Sequence, residues 1–174
     1  MTMPNALSTV RGLLVIPVIG LIGSGEPSLA LVLFLAAAAT DALDGPLARR
    51  RGGSTAFGAA LDPLADKILV VGTLAALALR GAAPAWAVAL ILARELVAVD
   101  VRARAHGAVA ASVDGKAKTV LQVAAIGLLL ATAAWPAAGL SMAASALLVA
   151  ATALTVLSGV RLVLRAKQTT ADPA

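Results

Sequence analysis

Asp41-Ala42-Leu43-Asp44-Gly45-Pro46-Leu47-Ala48-Arg49 closes an apolar run that begins near Ser28, and the next apolar run carries Gly58, Asp62 and Asp66. Asp41 and Asp44 are three positions apart, Asp62 and Asp66 four. Both spacings put a pair on one face of a helix. A short turn through Arg50 to Ser54 makes the two runs antiparallel neighbours. Both pairs therefore lie near the same end, where their faces can point at each other. Pro63 removes one helix hydrogen bond and is expected to bend the second run without separating the pairs.

Acids in such surroundings are costly. An Asp at the centre of a spanning helix costs about 2.5–3.5 kcal/mol on insertion scales, and less near an interface. Two carboxylates about 4 Å apart repel by about 4 kcal/mol at an effective dielectric of 20. Converging acids must therefore take up protons or bind cations. Oxygen ligands without His or Cys suit Mg²⁺ or Mn²⁺ rather than zinc. The competing reading is that they pair with Arg49, Lys67 and Arg94 as internal salt bridges. Gly45, Ala48 and Gly58 leave a groove without bulky side chains beside the acids, open to a ligand or to a packed helix.

The rest of the chain explains why charges are conspicuous here. Of 174 residues, 60% are hydrophobic and 13% charged, against about 45–50% and about 25% in a soluble domain. The excess lies in long Ala, Leu and Val runs. Reading between polar breaks gives six candidate spans, at about Leu7–Ile22, Ser28–Arg49, Ser54–Leu79, Pro84–Arg104, Lys116–Ala134 and Ser141–Leu164. Ser54 is a candidate N-cap for the third. Met1 to Ser8 has no signal-peptide pattern, so the first run is expected to remain as a membrane helix. Runs such as Ala36 to Ala39 are expected to let helices approach closely. With no cysteine, disulfides and thiolate metal sites are excluded.

The expected architecture is an all-α integral membrane protein. Residues 1–166 form a single domain, a six-helix transmembrane bundle, and 167–174 a disordered cytoplasmic tail. Arg11, Arg49, Arg50, Arg51, Arg102, Arg104, Lys116, Lys118, Arg161, Arg165 and Lys167 fall at one set of alternate ends, and Arg80 at the other. The positive-inside rule then puts both termini and both basic loops in the cytoplasm. In a membrane protein the net charge of +5 reports topology and anionic headgroups, not nucleic acid.

The quoted stretch, eight further residues, Gly58, Asp62 and Asp66 together resemble the signature D-x-x-D-G-x-x-A-R-x8-G-x-x-x-D-x-x-x-D of the CDP-alcohol phosphotransferase family, matched at every fixed position. The resemblance implies six helices in a homodimer within the lipid bilayer of the cell membrane, with a site facing the cytoplasm. It implies that Asp41, Asp44, Asp62 and Asp66 hold two divalent ions, Mg²⁺ or Mn²⁺. It also makes Asp66 the general base and lets Gly45, Ala48, Arg49 and Gly58 bind the CDP moiety. His106, the only histidine, is expected in a solvated loop.

Similarity extends from Pro4 to Gln122. Pro4-Asn5-Ala6-Leu7-Ser8-Thr9-Val10-Arg11 (Ser8 where Thr is usual), Leu61-Asp62-Pro63-Leu64-Ala65-Asp66-Lys67, Arg94-Glu95 and Gly115-Lys116-Ala117-Lys118-Thr119 resemble the bacterial phosphatidylglycerophosphate synthase branch. That branch implies transfer of a phosphatidyl group from CDP-diacylglycerol to sn-glycerol 3-phosphate, with release of CMP. Arg94, Arg102, Lys116 and Lys118 are the candidate ligands for the acceptor phosphate. The alternatives are positive-inside bias for Arg102, Lys116 and Lys118, and an internal ion pair with Glu95 for Arg94. A cardiolipin synthase using phosphatidylglycerol and a phosphatidylinositol phosphate synthase remain open within the family. Outside it stands an ion-coupled transporter.

Overall fold

The computed structural model describes the backbone of residues 3–50, 56–104 and 113–171, and the side chains of residues 9–40, 65, 67–101 and 117–166. Among the described residues six helices follow one another: α1 (Met3–Ser24), α2 (Pro27–Arg50), α3 (Ala56–Leu79), α4 (Ala85–Arg104), α5 (Val113–Ala134) and α6 (Ala138–Ala171). There is no strand among the described residues. Each expected span is a helix. α3 stays helical through Pro63, and α6 continues beyond Leu164 to Ala171, into the stretch expected as a tail. Ser54 and His106 lie outside the described residues.

Local chemistry ends these helices. Gly25 (φ 83°) and Gly81 (φ 72°) adopt the left-handed conformation that glycine reaches without strain. After α1, Gly25 N–H donates to Ile22 O (3.3 Å) and Glu26 N–H to Leu21 O (2.9 Å). After α3, Gly81 N–H donates to Ala78 O (2.9 Å) and Ala82 N–H to Leu77 O (2.8 Å). Both are Schellman closures that satisfy carbonyls the helix leaves open. Pro27 opens α2 where its missing N–H costs nothing.

Burial follows small residues. Ala30, Ala37, Ala87, Ala125, Ala144 and Ala151 are fully buried at helix contacts, around Phe34, Leu74, Leu77, Ile91, Ile126, Leu130 and Leu148. Within the run Ala36 to Ala39, Ala37 is the buried one, as close helix approach requires. The outward faces are apolar as well: Leu13, Ile16 and Ile19 on α1, Leu29 and Val32 on α2, Val156, Leu157 and Val160 on α6. A helix apolar on every side has no preferred aqueous face. Two helices, over Ala117–Ala134 and Ala138–Ala166, are long and apolar enough to cross a membrane. The described apolar stretches Thr9–Ser24, Pro27–Thr40 and Lys67–Leu79 are shorter.

α1 is the main partner of both α2 and α3, which touch each other only narrowly among the described residues. α2 and α3 are in contact, and the acid-bearing ends at which the sequence makes them neighbours have side chains outside the described residues. α1 packs against both, because glycine and alanine let its backbone come close to α3. A Cβ built on Gly12 would sit 3.6 Å from Ala65 Cβ, and one on Gly72 only 2.6 Å from Val15 Cγ2. Val15 is buried and β-branched, so it has little freedom to move. Gly72→Ala is therefore expected to destabilise the protein by about 1–3 kcal/mol, read as a lower unfolding temperature in detergent. An unchanged melting curve would show that α1 and α3 can separate at no cost.

Candidate active site

Arg11 of α1 is buried, and a second group of interior charges is built by α3, α4 and α5. On α4, Arg94 and Glu95 are consecutive, hence about 100° apart around the helix, and yet both are buried. They face different neighbours. Glu95 Oε1 accepts a hydrogen bond from Lys118 Nζ of α5 and another from Arg94 Nη1 at 3.2 Å. Its Oε2 pairs with Lys67 Nζ of α3 at 3.4 Å. The Arg94 stem lies against α6, where the Cβ position of Gly159 is 2.8 Å from Arg94 Cγ.

One carboxylate thus meets three cations. Arg94 and Lys118 keep 8% and 6% of their surface exposed, and Lys67 is half-buried. Arg94 Nε has no hydrogen-bond partner among the described residues. A buried cationic donor without a partner is costly, and an anion is its natural complement. Below Lys118, one turn along α5, Gln122 Nε2 donates to Thr155 Oγ1 of α6 at 2.9 Å, and Thr155 Oγ1 donates to Ala151 O at 2.6 Å. Thr155 and Gly159 share a face of α6, as Lys118 and Gln122 share one of α5. The two faces form one polar seam within the bundle.

The structure joins two of the sequence's candidate acceptor ligands. Arg94 and Lys118 meet through Glu95, so the internal ion pair expected for Arg94 is present, and Lys118 is turned inward. The side chains of Arg102 and Lys116 lie outside the described residues. So do those of Asp41, Asp44, Gly45, Ala48, Arg49, Gly58, Asp62 and Asp66. Their backbone is described: α2 is helical through Asp41 and Asp44, and α3 through Asp62 and Asp66. Each acidic pair therefore keeps its one-turn spacing.

The sequence does not mark Lys67 and Glu95 as candidates, and the structure adds them to the cluster. The available signal was Lys67 standing directly after Asp66, about 3.8 Å away between Cα atoms. Glu95 carried a signal too, as an acid within an apolar span.

A model of the family described as CDP-alcohol phosphatidyltransferase matches residues 1–160. The chain is 41% identical over 171 residues to the "Probable phosphatidylglycerophosphate synthase" of Mycobacterium tuberculosis (strain ATCC 25618 / H37Rv), covering 93% of this chain and 80% of that protein. It is 43% identical over 102 residues to the "CDP-diacylglycerol--glycerol-3-phosphate 3-phosphatidyltransferase" of Bacillus subtilis (strain 168), covering 57% of this chain and 53% of that protein. A protein of the same name from Escherichia coli (strain K12) is 40% identical over 114 residues, covering 60% and 62%. The acidic signature and these matches agree: the chain belongs to the CDP-alcohol phosphatidyltransferase family.

Proposed function

We propose that this chain transfers the phosphatidyl group of CDP-diacylglycerol to a hydroxyl of sn-glycerol 3-phosphate, releasing CMP and forming phosphatidylglycerophosphate. The observation that carries the acceptor is the excess of cations, buried Arg94 and Lys118 and half-buried Lys67, around the single carboxylate they share among the described residues, Glu95. An acceptor bearing a phosphate complements that excess. The names of the relatives support the same donor and acceptor.

Asp66 takes the proton of the acceptor hydroxyl. The oxygen then attacks the β-phosphorus in line, and the bond to CMP breaks. Arg94, Arg102, Lys116 and Lys118 hold the acceptor phosphate, with Lys67 beside them. Gly45, Ala48 and Gly58 let the CDP moiety approach the backbone, and Arg49 pairs with its phosphate. Members of the family are generally dependent on divalent metals. The donor set fits two Mg²⁺ or Mn²⁺ ions: Asp41, Asp44, Asp62 and Asp66 offer only oxygen, in pairs one helical turn apart on α2 and α3. When bound, the ions would neutralise the pyrophosphate and stabilise the departing CMP.

The working form is a homodimer in the cell membrane, as the family resemblance implies, with one domain that extends through α6 and with the active site and both termini on the cytoplasmic side. Apolar side chains around the bundle support the membrane setting, and the one-sided Lys and Arg distribution supports the orientation.

CMP release from CDP-diacylglycerol tests the reading, run in turn with glycerol 3-phosphate, phosphatidylglycerol and inositol phosphate. Glycerol 3-phosphate is expected to give the fastest turnover, which EDTA abolishes and Mg²⁺ or Mn²⁺ restores. Preference for phosphatidylglycerol would make the chain a cardiolipin synthase. Full turnover in metal-free buffer would end the two-ion reading.

A further inference from the structure

We infer that Gly159 of α6 is a positioning residue for the acceptor subsite, acting through Arg94. The inference rests on the proposal that Arg94 holds the acceptor phosphate. Gly159 lies beyond Gln122, where the motif-bearing part of the sequence ends, on a helix to which the sequence assigns no role. It is buried inside α6, with nothing at its own backbone that demands glycine: its φ is not among the positive ones. Glycine costs about 1 kcal/mol relative to alanine in an exposed helix interior. The alanine-rich composition of this bundle makes alanine the obvious filler, as at fully buried Ala144 and Ala151 on the same helix. At 159 that filler does not fit.

A Cβ at position 159 would stand 2.8 Å from Arg94 Cγ, 3.8 Å from its Nε and 3.9 Å from its Cβ. Cγ belongs to the stem of the arginine, not to its mobile end. Relief requires the Arg94 stem to move, by a change of rotamer or with α4 as it is pushed from α6, and either carries the guanidinium with it. Nη1 would leave Glu95 Oε1, and Nε would leave the orientation in which it has no hydrogen-bond partner among the described residues. The absence of a side chain at Gly159 thus sets the direction in which Arg94 presents its charge. α6 contributes to acceptor binding by omission.

The test uses the full chain in detergent, assayed for CMP release as wild type, Gly159→Ala, Arg94→Ala and the double variant. Overpacking by one methyl is expected to raise KM for glycerol 3-phosphate about tenfold in Gly159→Ala, with KM for CDP-diacylglycerol unchanged. In the Arg94→Ala background there is no Cγ to meet, so adding Gly159→Ala should change nothing further. An unchanged acceptor KM in Gly159→Ala overturns the inference. So does an equal additional loss in the double variant, since glycine would then serve only α6 packing. If Gly159→Ala alone cannot be purified, the double variant decides. Recovery with the kinetics of Arg94→Ala supports the contact, and failure to recover rejects it. Should the wild type prefer phosphatidylglycerol, the proposed acceptor is wrong, and the same four proteins assayed with that lipid still read the coupling. Absence of CMP release with every acceptor overturns both.

Discussion

Asp66→Asn is expected to slow a single turnover by roughly 10²–10⁴-fold, the usual worth of general-base catalysis, while CDP-diacylglycerol still binds. Asn keeps the shape of the side chain and an oxygen able to touch a cation, but it cannot take the proton of the acceptor hydroxyl. Asp41→Asn and Asp44→Asn should behave differently. Their charge is proposed to hold the cations against the pyrophosphate, so metal and nucleotide binding should weaken along with turnover. Asp66 is proposed as a ligand as well, so its variant should also lose some metal affinity. The distinguishing measurement is substrate binding beside single-turnover rate, for each variant, across a Mg²⁺ titration. If excess Mg²⁺ returns Asp66→Asn to near the wild-type rate, Asp66 is a ligand only and the proton leaves by another route.

Glu95→Gln should have the largest effect on stability. Among the described residues Glu95 is the carboxylate that Lys67, Arg94 and Lys118 share, and it is 7% exposed. Glutamine fills the same volume yet leaves the cations without a counter-charge. Breaking a buried ion pair from one side costs about 3–5 kcal/mol, and the partial exposure of Lys67 places the expected loss toward the lower figure. Thermal unfolding in detergent measures it. Two further results follow from the same electrostatics. Lys118→Met added to Glu95→Gln should recover part of the loss, because one uncompensated buried cation is removed. Glycerol 3-phosphate should raise the unfolding temperature of Glu95→Gln, by mass action on the folded state. A variant that melts with the wild type would mean that other groups balance the three cations.

Much of this protein is written in short-range chemistry. The runs of Ala, Leu and Val determine helices, and Gly25 and Gly81 determine where α1 and α3 stop, since a left-handed residue is needed immediately after the last turn. Pro27 starts α2 for an equally local reason. The pairing of Asp41 with Asp44, and of Asp62 with Asp66, depends only on helical periodicity, so their candidacy as cation ligands was legible before any fold was known. The family was legible too, because its signature lies within one stretch of sequence.

What could not be read were the contacts between segments distant in the chain. Arg94, Arg102, Lys116 and Lys118 looked alike as basic residues near the same ends of two spans. Packing turns Lys118 inward to Glu95, 23 positions away. It also recruits Lys67, which the sequence offered only as a partner for the acids. Gly159 among many small residues carried no mark until Arg94 lay across it. Composition and periodicity by themselves thus determined the helices, the ends of α1 and α3, and the acids placed one turn apart, because neighbours along a helix are set by covalent spacing; the end of α6 they did not, since it continues to Ala171. Tertiary structure alone decided that α1 lies against both α2 and α3, and which cations converge on Glu95. Apolar faces on every side leave rotation and neighbour undetermined, and these are chosen by where small residues let two backbones meet.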